Sequence, residues 1–369
     1  MEKNDILLIH GTNYQEMTKE IMQAADVAAL IGDKNKKIGM KPNLAVAKDP
    51  KSGATTHAEL LAGVIEYLQE NGFYDISIME GSWVGDRTGR AFKATGYDKI
   101  SKKYNVPLID LQKDSFHDYD AAGMRISLCD AAASVDFMIN MPVLKGHCQT
   151  TITCALKNNK GVIPNDEKRR FHTLGLHKPI AHLNTIAKNN FILVDNICGD
   201  LDFEEGGNPV TMNRILGFRD PVLCDAFVCE SLGYLPSDVE YIILAEKLGI
   251  GSANLRETNR IMLNEDKCEN NIPQMTRKVE HLAAYTEPMD ACSACYGSLI
   301  HALNRLDEKG RLGKKRPKIA IGQGYKKKSG VIGIGRCTGC FKISLEGCPP
   351  KAADIVEFLE KNWKYTDSC

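Results

Sequence analysis

The sequence predicts an α/β fold, a mostly parallel sheet with helices on both faces. Three observations carry that prediction. Between residues 5 and 250, short aliphatic or β-branched runs alternate with segments whose apolar residues recur at helical spacing, the alternation that builds parallel sheets through crossover helices. The runs are 4 to 6 residues long, a length that suits strands and is short for helices. The 369 residues are 43% apolar, enough to bury real cores and too much for a disordered chain.

The elements follow in order. DILLIH opens as a strand, and TKEIMQAADVAALIG continues at helical spacing. KIGM is the next strand and runs into Lys41, Pro42 and Asn43. HAELLAGVIEYLQENG is a helix that stops at Asn71 and Gly72, and Thr55 and Thr56 read as its N-caps. DISIME, PLIDL, DFMINM and FILVD supply further strands, with KPIAHLNTIAK as a helix ahead of the last. Residues 252–290, polar with the asparagine-rich run NEDKCENNIP, read as a connector or small subdomain between an α/β domain over 1–251 and a C-terminal region over 291–369.

The 47 basic and 47 acidic residues cancel, which argues against a dedicated nucleic-acid binder with its basic excess. Glu2, Lys3, Asn4 and Asp5 precede only a short apolar run, unlike a signal peptide. No segment nears the roughly 20 apolar residues of a membrane span. The expectation is a soluble, cytoplasmic chain with no nucleic-acid or membrane partner, homodimerisation being left open.

In parallel sheets, ligands bind beyond the carboxyl ends of the strands. Four strands here end in polar, glycine-containing segments: KPNLAV before TTHAEL, EGS, PVLKGHCQTTITCALKNNKGVIP, and NICGDLDFEEGGNP. Neutrality is also only an average. From Lys145 to His182 the local charge is +5, with four of the nine histidines, whereas Asp195, Asp200, Asp202, Glu204 and Glu205 form a stretch without a base. One reading is mutual neutralisation across a solvated rim. The other is a pocket for a carboxylate or phosphate, with lysines as point charges and histidines as proton carriers. Lys41, Asn43, Thr55, Thr56, Asn158, Lys168 and Asp195 are its candidate substrate-binding residues.

The 13 cysteines form two populations. Cys129, Cys148, Cys154, Cys198, Cys224, Cys229, Cys268 and Cys369 are scattered and read as small packing residues. Cys292 and Cys295, then Cys337, Cys340 and Cys348, crowd into 57 residues. In a CxxC turn two thiolates can face one metal centre while backbone N–H groups offset their charge. Four thiolates could hold zinc or an iron–sulfur cluster. Pro349 and Pro350 behind Cys348, and the close approach allowed by Gly333, Gly335, Gly339 and Gly347, favour a 4Fe-4S cluster over a zinc ribbon. Five cysteines compete for four places. GIGIGR opens no helix, so no nucleotide cofactor is expected.

ACSACYGSLIHAL and GCPPKAADIVEFL resemble the proximal-cluster segments of nickel–iron hydrogenase small subunits and their relative in respiratory complex I. That resemblance implies a C-terminal α/β iron–sulfur region with Cys292, Cys295 and Cys348 as ligands, joined by Cys337 or Cys340. KPNL, TTHAELLAGVIEYLQENG, VDFMINMPVLKGH, TTITCALKNNKGVIP, LHKPIAHLN, VDNICG and DPVLCDAF resemble, in order over about residues 38–251, the family filed as domain of unknown function 362. Its members often carry ferredoxin-like cysteine motifs; here the cysteines look hydrogenase-like and lie C-terminal. The run from DFMIN to KNNKGVIP is also similar to a segment of the lactate racemase family. That likeness implies a catalytic cleft with Lys145, His147, Lys157 and His172, in which His147 and His172 are acid/base partners. The racemases' nickel-pincer attachment region is not recognisable, so it implies the cleft and not the cofactor.

Together these features predict an iron–sulfur oxidoreductase acting on a small anionic substrate, with one 4Fe-4S cluster and a redox partner such as a ferredoxin or flavodoxin. The alternatives are a lyase, isomerase or racemase with a structural or Lewis-acid cluster, and an electron-transfer or cluster-carrier protein.

Overall fold

The structure is a computed structural model that describes residues 1–201, 204–206, 209–265, 278–313 and 316–363. Asp202, Asn208, Cys268 and Cys369 lie outside the described residues. The chain forms two compact units, Met1–Lys168 with His177–Gln274, and Arg169–Leu176 with Met275–Cys369.

The strands of the first unit are β1 (Asp5–His10), β2 (Ile38–Pro42), β3 (Ile76–Glu80), β4 (Leu108–Asp110), β5 (Phe116–Ala121), β6 (Met124–Cys129), β7 (Phe137–Met141), β8 (Lys145–His147), β9 (Thr151–Thr153), β10 (Phe191–Asp200), β11 (Pro209–Phe218) and β12 (Asn259–Met262). Among the described residues eight of them form one sheet in the order β12-β1-β11-β10-β7-β2-β3-β4. β11 runs antiparallel to both β1 and β10, and every other neighbouring pair is parallel. β5/β6 and β8/β9 are antiparallel pairs outside it. Successive strands step from β2 to β3 to β4 in one direction, while β7 and β10 lie on the other side of β2. The order reverses between β2 and β7, and a crevice opens at such a point beyond the carboxyl ends.

The helix expected from HAELLAGVIEYLQENG spans Ala58–Glu70. Its Leu60, Leu61, Val64, Ile65 and Leu68 repeat at helical spacing and are fully buried, each worth about 1.5–3 kcal/mol of transfer free energy. It ends as its sequence suggests, with Gly72 in the left-handed region at φ 79° and the N–H of Phe73 returning to the carbonyl of Leu68. Its start differs from expectation. His57 is the N-cap, while Thr56 donates its hydroxyl to the Met141 carbonyl on β7 and Thr55 donates to Lys48. The Thr56 oxygen accepts instead from the N–H of Asn43, so both its donor and its acceptor side face the sheet and not the helix start. TKEIMQAADVAALIG divides into helices Tyr14–Ala24 and Val27–Ile31, because Asp26 turns into the left-handed region at φ 50° and accepts from the N–H of Ala29 as the cap of the second. KPIAHLNTIAK is helical only over His177–Leu183; beyond it the Asn184 amide donates to the carbonyls of Ile180 and Leu156.

In the second unit β13 (Thr286–Pro288), β14 (Ile319–Ile321), β15 (Ile332–Ile334) and β16 (Ile343–Leu345) form a four-stranded, wholly parallel sheet in chain order. Its buried isoleucines, with Leu299, Leu303, Ile355 and Leu359 from helices Ser293–Glu308 and Ala352–Asn362, make the core. All four strands point one way, so the loops after them share one edge of the sheet.

Gly199 on β10 lies against the chain leading into β8: a Cβ there would sit 2.0 Å from the Leu144 carbonyl oxygen. Since that neighbour is backbone and cannot rotate away, Gly199→Ala is expected to lower stability by about 1–3 kcal/mol, measured by urea denaturation; an unchanged midpoint would contradict this packing.

Candidate functional site

At the crevice between β2 and β7 the unusual feature is buried charge. The Lys41 and Glu80 side chains, 1% and 2% exposed, pair at 2.7 Å. The ammonium also donates to the Pro42 carbonyl and to Oδ1 of Asn158, so its three N–H groups have three acceptors. Burial pulls the Lys41 pKa down and Glu80 opposes that pull. Asn158 accepts from Asn43 as well and donates to Asn140, which donates in turn to Asn189. On the other side Oδ1 of Asn43 accepts from Lys145, whose remaining donors reach the carbonyls of Ala54 and Glu204. Lys145 is pulled down to about 7 by burial and by the nearby Lys157. Its three acceptors match the three donors of an ammonium. Lys145 is therefore a strut between loops, and so is Lys168, which donates to the carbonyls of Gly81 and Ser82 and is pulled down to about 8 by burial.

The Asp195 carboxylate is fully buried and committed inside the protein: it accepts from the backbone and Nδ1 of His57, both on one oxygen, and from the N–H of Ile197. Burial opposes a charge on His57, but Asp195 at 2.8 Å outweighs it and raises the imidazole to about 10. The charged stretches meet beside this pair. Val143 bridges to Asp195, and Glu204 turns its carboxylate to His147 Nε2 at 3.5 Å and to the Cys148 thiol at 3.4 Å. Nδ1 of His147 accepts from the N–H groups of Gln149 and Thr150, so the ring proton of the neutral imidazole resides on Nε2, facing Glu204. Lys157 is half-buried and pulled down to about 8 by burial. Among the described residues its one acceptor is Thr153 at 3.2 Å, which leaves two N–H groups without a partner there.

His147, Cys148 and Glu204 offer three donors of metal-ligating type within 4.8 Å of one another, as do Cys154, Cys224 and Asp225. In the first group the Nε2 proton must leave before a metal could bind. In the second, Asp225 is pushed up to about 7 by burial and accepts from the N–H groups of Ala155 and Leu156.

His172, expected beside His147, is buried in the segment Arg169–Leu176 of the second unit. Sequence reasoning passed over His57, Cys148 and Glu204 as site residues. The signal for Glu204 was its acidic stretch; Cys148 had only its place next to His147.

In the second unit the cysteines occupy the carboxyl-end edge. Cys292 is the N-cap of helix Ser293–Glu308 after β13, Cys337 follows β15, and Cys348 follows β16. Backbone bonds stitch these loops together: Gln323 to Asp290, Gly324 to Met289, and Arg336 to Gly347. Nε2 of Gln323 donates to the Cys292 sulfur at 3.5 Å. Burial pushes the Cys295 thiol up to about 12, and Cys292, Cys348 and Cys337 push it further the same way. Cys292 is raised by burial, then by Cys337 and Cys348. Cys337 and Cys348 both push Cys292 and Cys295 upwards, while Cys340 and Cys348 are themselves exposed.

The family described as "Domain of unknown function (DUF362)" matches residues 38–230. The chain belongs to this family. The matched span runs from β2 to the end of helix Pro221–Ser231 and contains the whole lysine–asparagine cluster. The chain is similar to a thylakoid-associated protein of Synechocystis sp., with 27% identity over 133 residues. That similarity takes in 36% of this chain and 41% of the relative, so the chain spans about two fifths of that relative's length. Among solved structures it is similar to a lactate racemase apoprotein from Thermoanaerobacterium thermosaccharolyticum, with a TM-score of 0.41, 12% identity, and coverage of 61% of this chain and 56% of the other. No helix among the described residues is long and apolar enough to cross a membrane.

Two predictions follow from the buried charges. Glu80→Gln leaves the Lys41 ammonium without a counter-charge and should cost about 3–5 kcal/mol in chemical denaturation, whereas Lys41→Met with Glu80→Leu should cost less than Glu80→Gln alone. For His57, whose folded pKa is raised from 6.5 to about 10, the contribution is complete below 6.5 and lost as pH rises through about 10. The stability difference between wild type and His57→Asn should therefore be flat below pH 6.5 and shrink towards pH 10; a difference that grows with pH would refute the pairing.

Proposed function

We propose that this chain is an iron–sulfur enzyme acting on a small anionic substrate. The observation that carries the reading is the placement of Cys292, Cys337 and Cys348 in loops at the carboxyl-end edge of one parallel sheet, with Cys295 one turn into the helix that Cys292 caps. The donor set fits the group: four soft thiols, glycine-rich loops that admit a bulky inorganic core, and a side-chain N–H on one sulfur. When bound, a 4Fe-4S cluster supplies one-electron chemistry. A one-electron carrier of the ferredoxin or flavodoxin type is the partner this reading calls for.

The chain's own residues account for substrate binding in the first unit. Lys157 offers two open N–H groups to a carboxylate or phosphate. His147 holds a proton on Nε2 beside Glu204, where it can pass one to or from a bound acid. Lys41, Asn43, Asn158, Lys145 and Lys168 keep the surrounding loops in place and do not contact the ligand. A non-redox lyase or isomerase is the second reading, favoured by the His147–Glu204 contact, which serves proton transfer without any change of oxidation state.

Anaerobic reconstitution with iron and sulfide should give about four of each per chain, and one zinc with no sulfide would refute the cluster. Cys348→Ala should lose the iron while Cys340→Ala keeps it. Because burial and the neighbouring thiols raise Cys292 and Cys295 above an ordinary thiol, loading should release protons and weaken as pH falls, measured by titration at two buffer pH values. A loaded protein that dithionite never reduces, followed by EPR, would overturn the oxidoreductase reading in favour of the second.

A further inference from the structure

We propose that the first unit contains a second small-anion site, separate from Lys157 and His147 and independent of the iron–sulfur reading. It is a cavity of about 420 Å³ lined in part by Lys3, Asn190, Arg219, Pro221, Leu248 and Ile250. No aspartate or glutamate lines it, and the two cations on its wall are uncompensated: among the described residues neither Lys3 nor Arg219 has a carboxylate at ion-pair distance. The carboxylates nearest in charge are already spent. Asp5, which feels Arg219, accepts from the N–H of Glu2 and the amide of Asn259. Asp220, which feels Lys3, accepts from the N–H groups of Val222, Leu223 and Ser252.

Donors remain open. Arg219 gives one N–H to the Met1 carbonyl, and its buried Nε has no acceptor. The remaining N–H groups on its two terminal nitrogens are donors of the kind a bound oxyanion takes. Asn190 accepts from the N–H of Met138 and keeps its amide nitrogen. Asn184 and Asn189, also on the wall, are bonded to each other and to their neighbours, so recognition falls to Lys3, Asn190 and Arg219. Pro221, Leu248 and Ile250 add aliphatic carbon to the lining. Cations, one with a planar fork, and aliphatic carbon in one cavity suit a small carboxylate or phosphate with an apolar tail.

The full chain is titrated calorimetrically with inorganic phosphate and with propionate as probes. Saturable binding of either probe is expected, with one component weakened about tenfold or more in Arg219→Gln and retained in Lys157→Met. Phosphate alone binding identifies a phosphate site, propionate alone a carboxylate site, and both a general oxyanion site. Lys3→Gln, at an exposed residue, should weaken binding in the same direction and keeps the test open if Arg219→Gln does not fold. No heat from either probe, or binding that both variants leave intact, overturns the site. Binding lost in Lys157→Met and retained in both would assign the anion to the first cleft instead.

Discussion

Burying the Lys41 ammonium at the carboxyl end of β2 is the constraint on which the first unit's site depends. An ion removed from water costs several kcal/mol unless its partners are all supplied, and here they are Glu80 from β3, a backbone carbonyl and the amide oxygen of Asn158. Each partner then needs its own. Asn158 is oriented by Asn140 on β7 and by Asn43, and Asn43 is oriented by Lys145. One buried charge thereby fixes β2, β3, β7 and the loops between them, and the β8/β9 pair that carries His147 is held through Lys145. Lys157 stands apart because it takes no part in that ladder.

The second unit meets the opposite problem with the same device. Thiols brought together would repel as thiolates, and burial already raises Cys292, Cys295 and Cys337 towards the protonated form. Strand direction alone gathers them, since each loop after a parallel strand opens on the same edge. The loop after β14 has the shape of the loop after β15: a glycine at φ 124° or 92° followed by a short 3-10 turn. One presents Cys337 and the other presents Gln323, which donates to Cys292.

Much of this was legible in the sequence. DILLIH, KIGM, DISIME, PLIDL, DFMINM and FILVD all became strands because their apolar runs are local signals. The charged stretches meet as their signs suggested. The antiparallel insertion of β11 was not legible, since PVTMNRILGF carries no turn chemistry that announces a ten-residue strand. Nor was the assignment of Arg169–Leu176 to the second compact unit, because sequence proximity to Lys168 says nothing about which unit a residue joins. The place of Cys340 depended on which side of a turn it occupies.

By itself the sequence determined the α/β class, the strand-end location of the polar residues and the five cysteines from which a metal site would draw. These follow from periodicity and spacing, which act over a few residues. Tertiary structure alone decided which lysines are spent and which is open, because that depends on how many acceptors distant loops bring within about 3 Å. It also decided that Asp195 serves His57, and that the loops with Cys292, Cys337 and Cys348 share one sheet edge. A donor or acceptor can be counted from sequence, but whether it is already satisfied is a property of the fold.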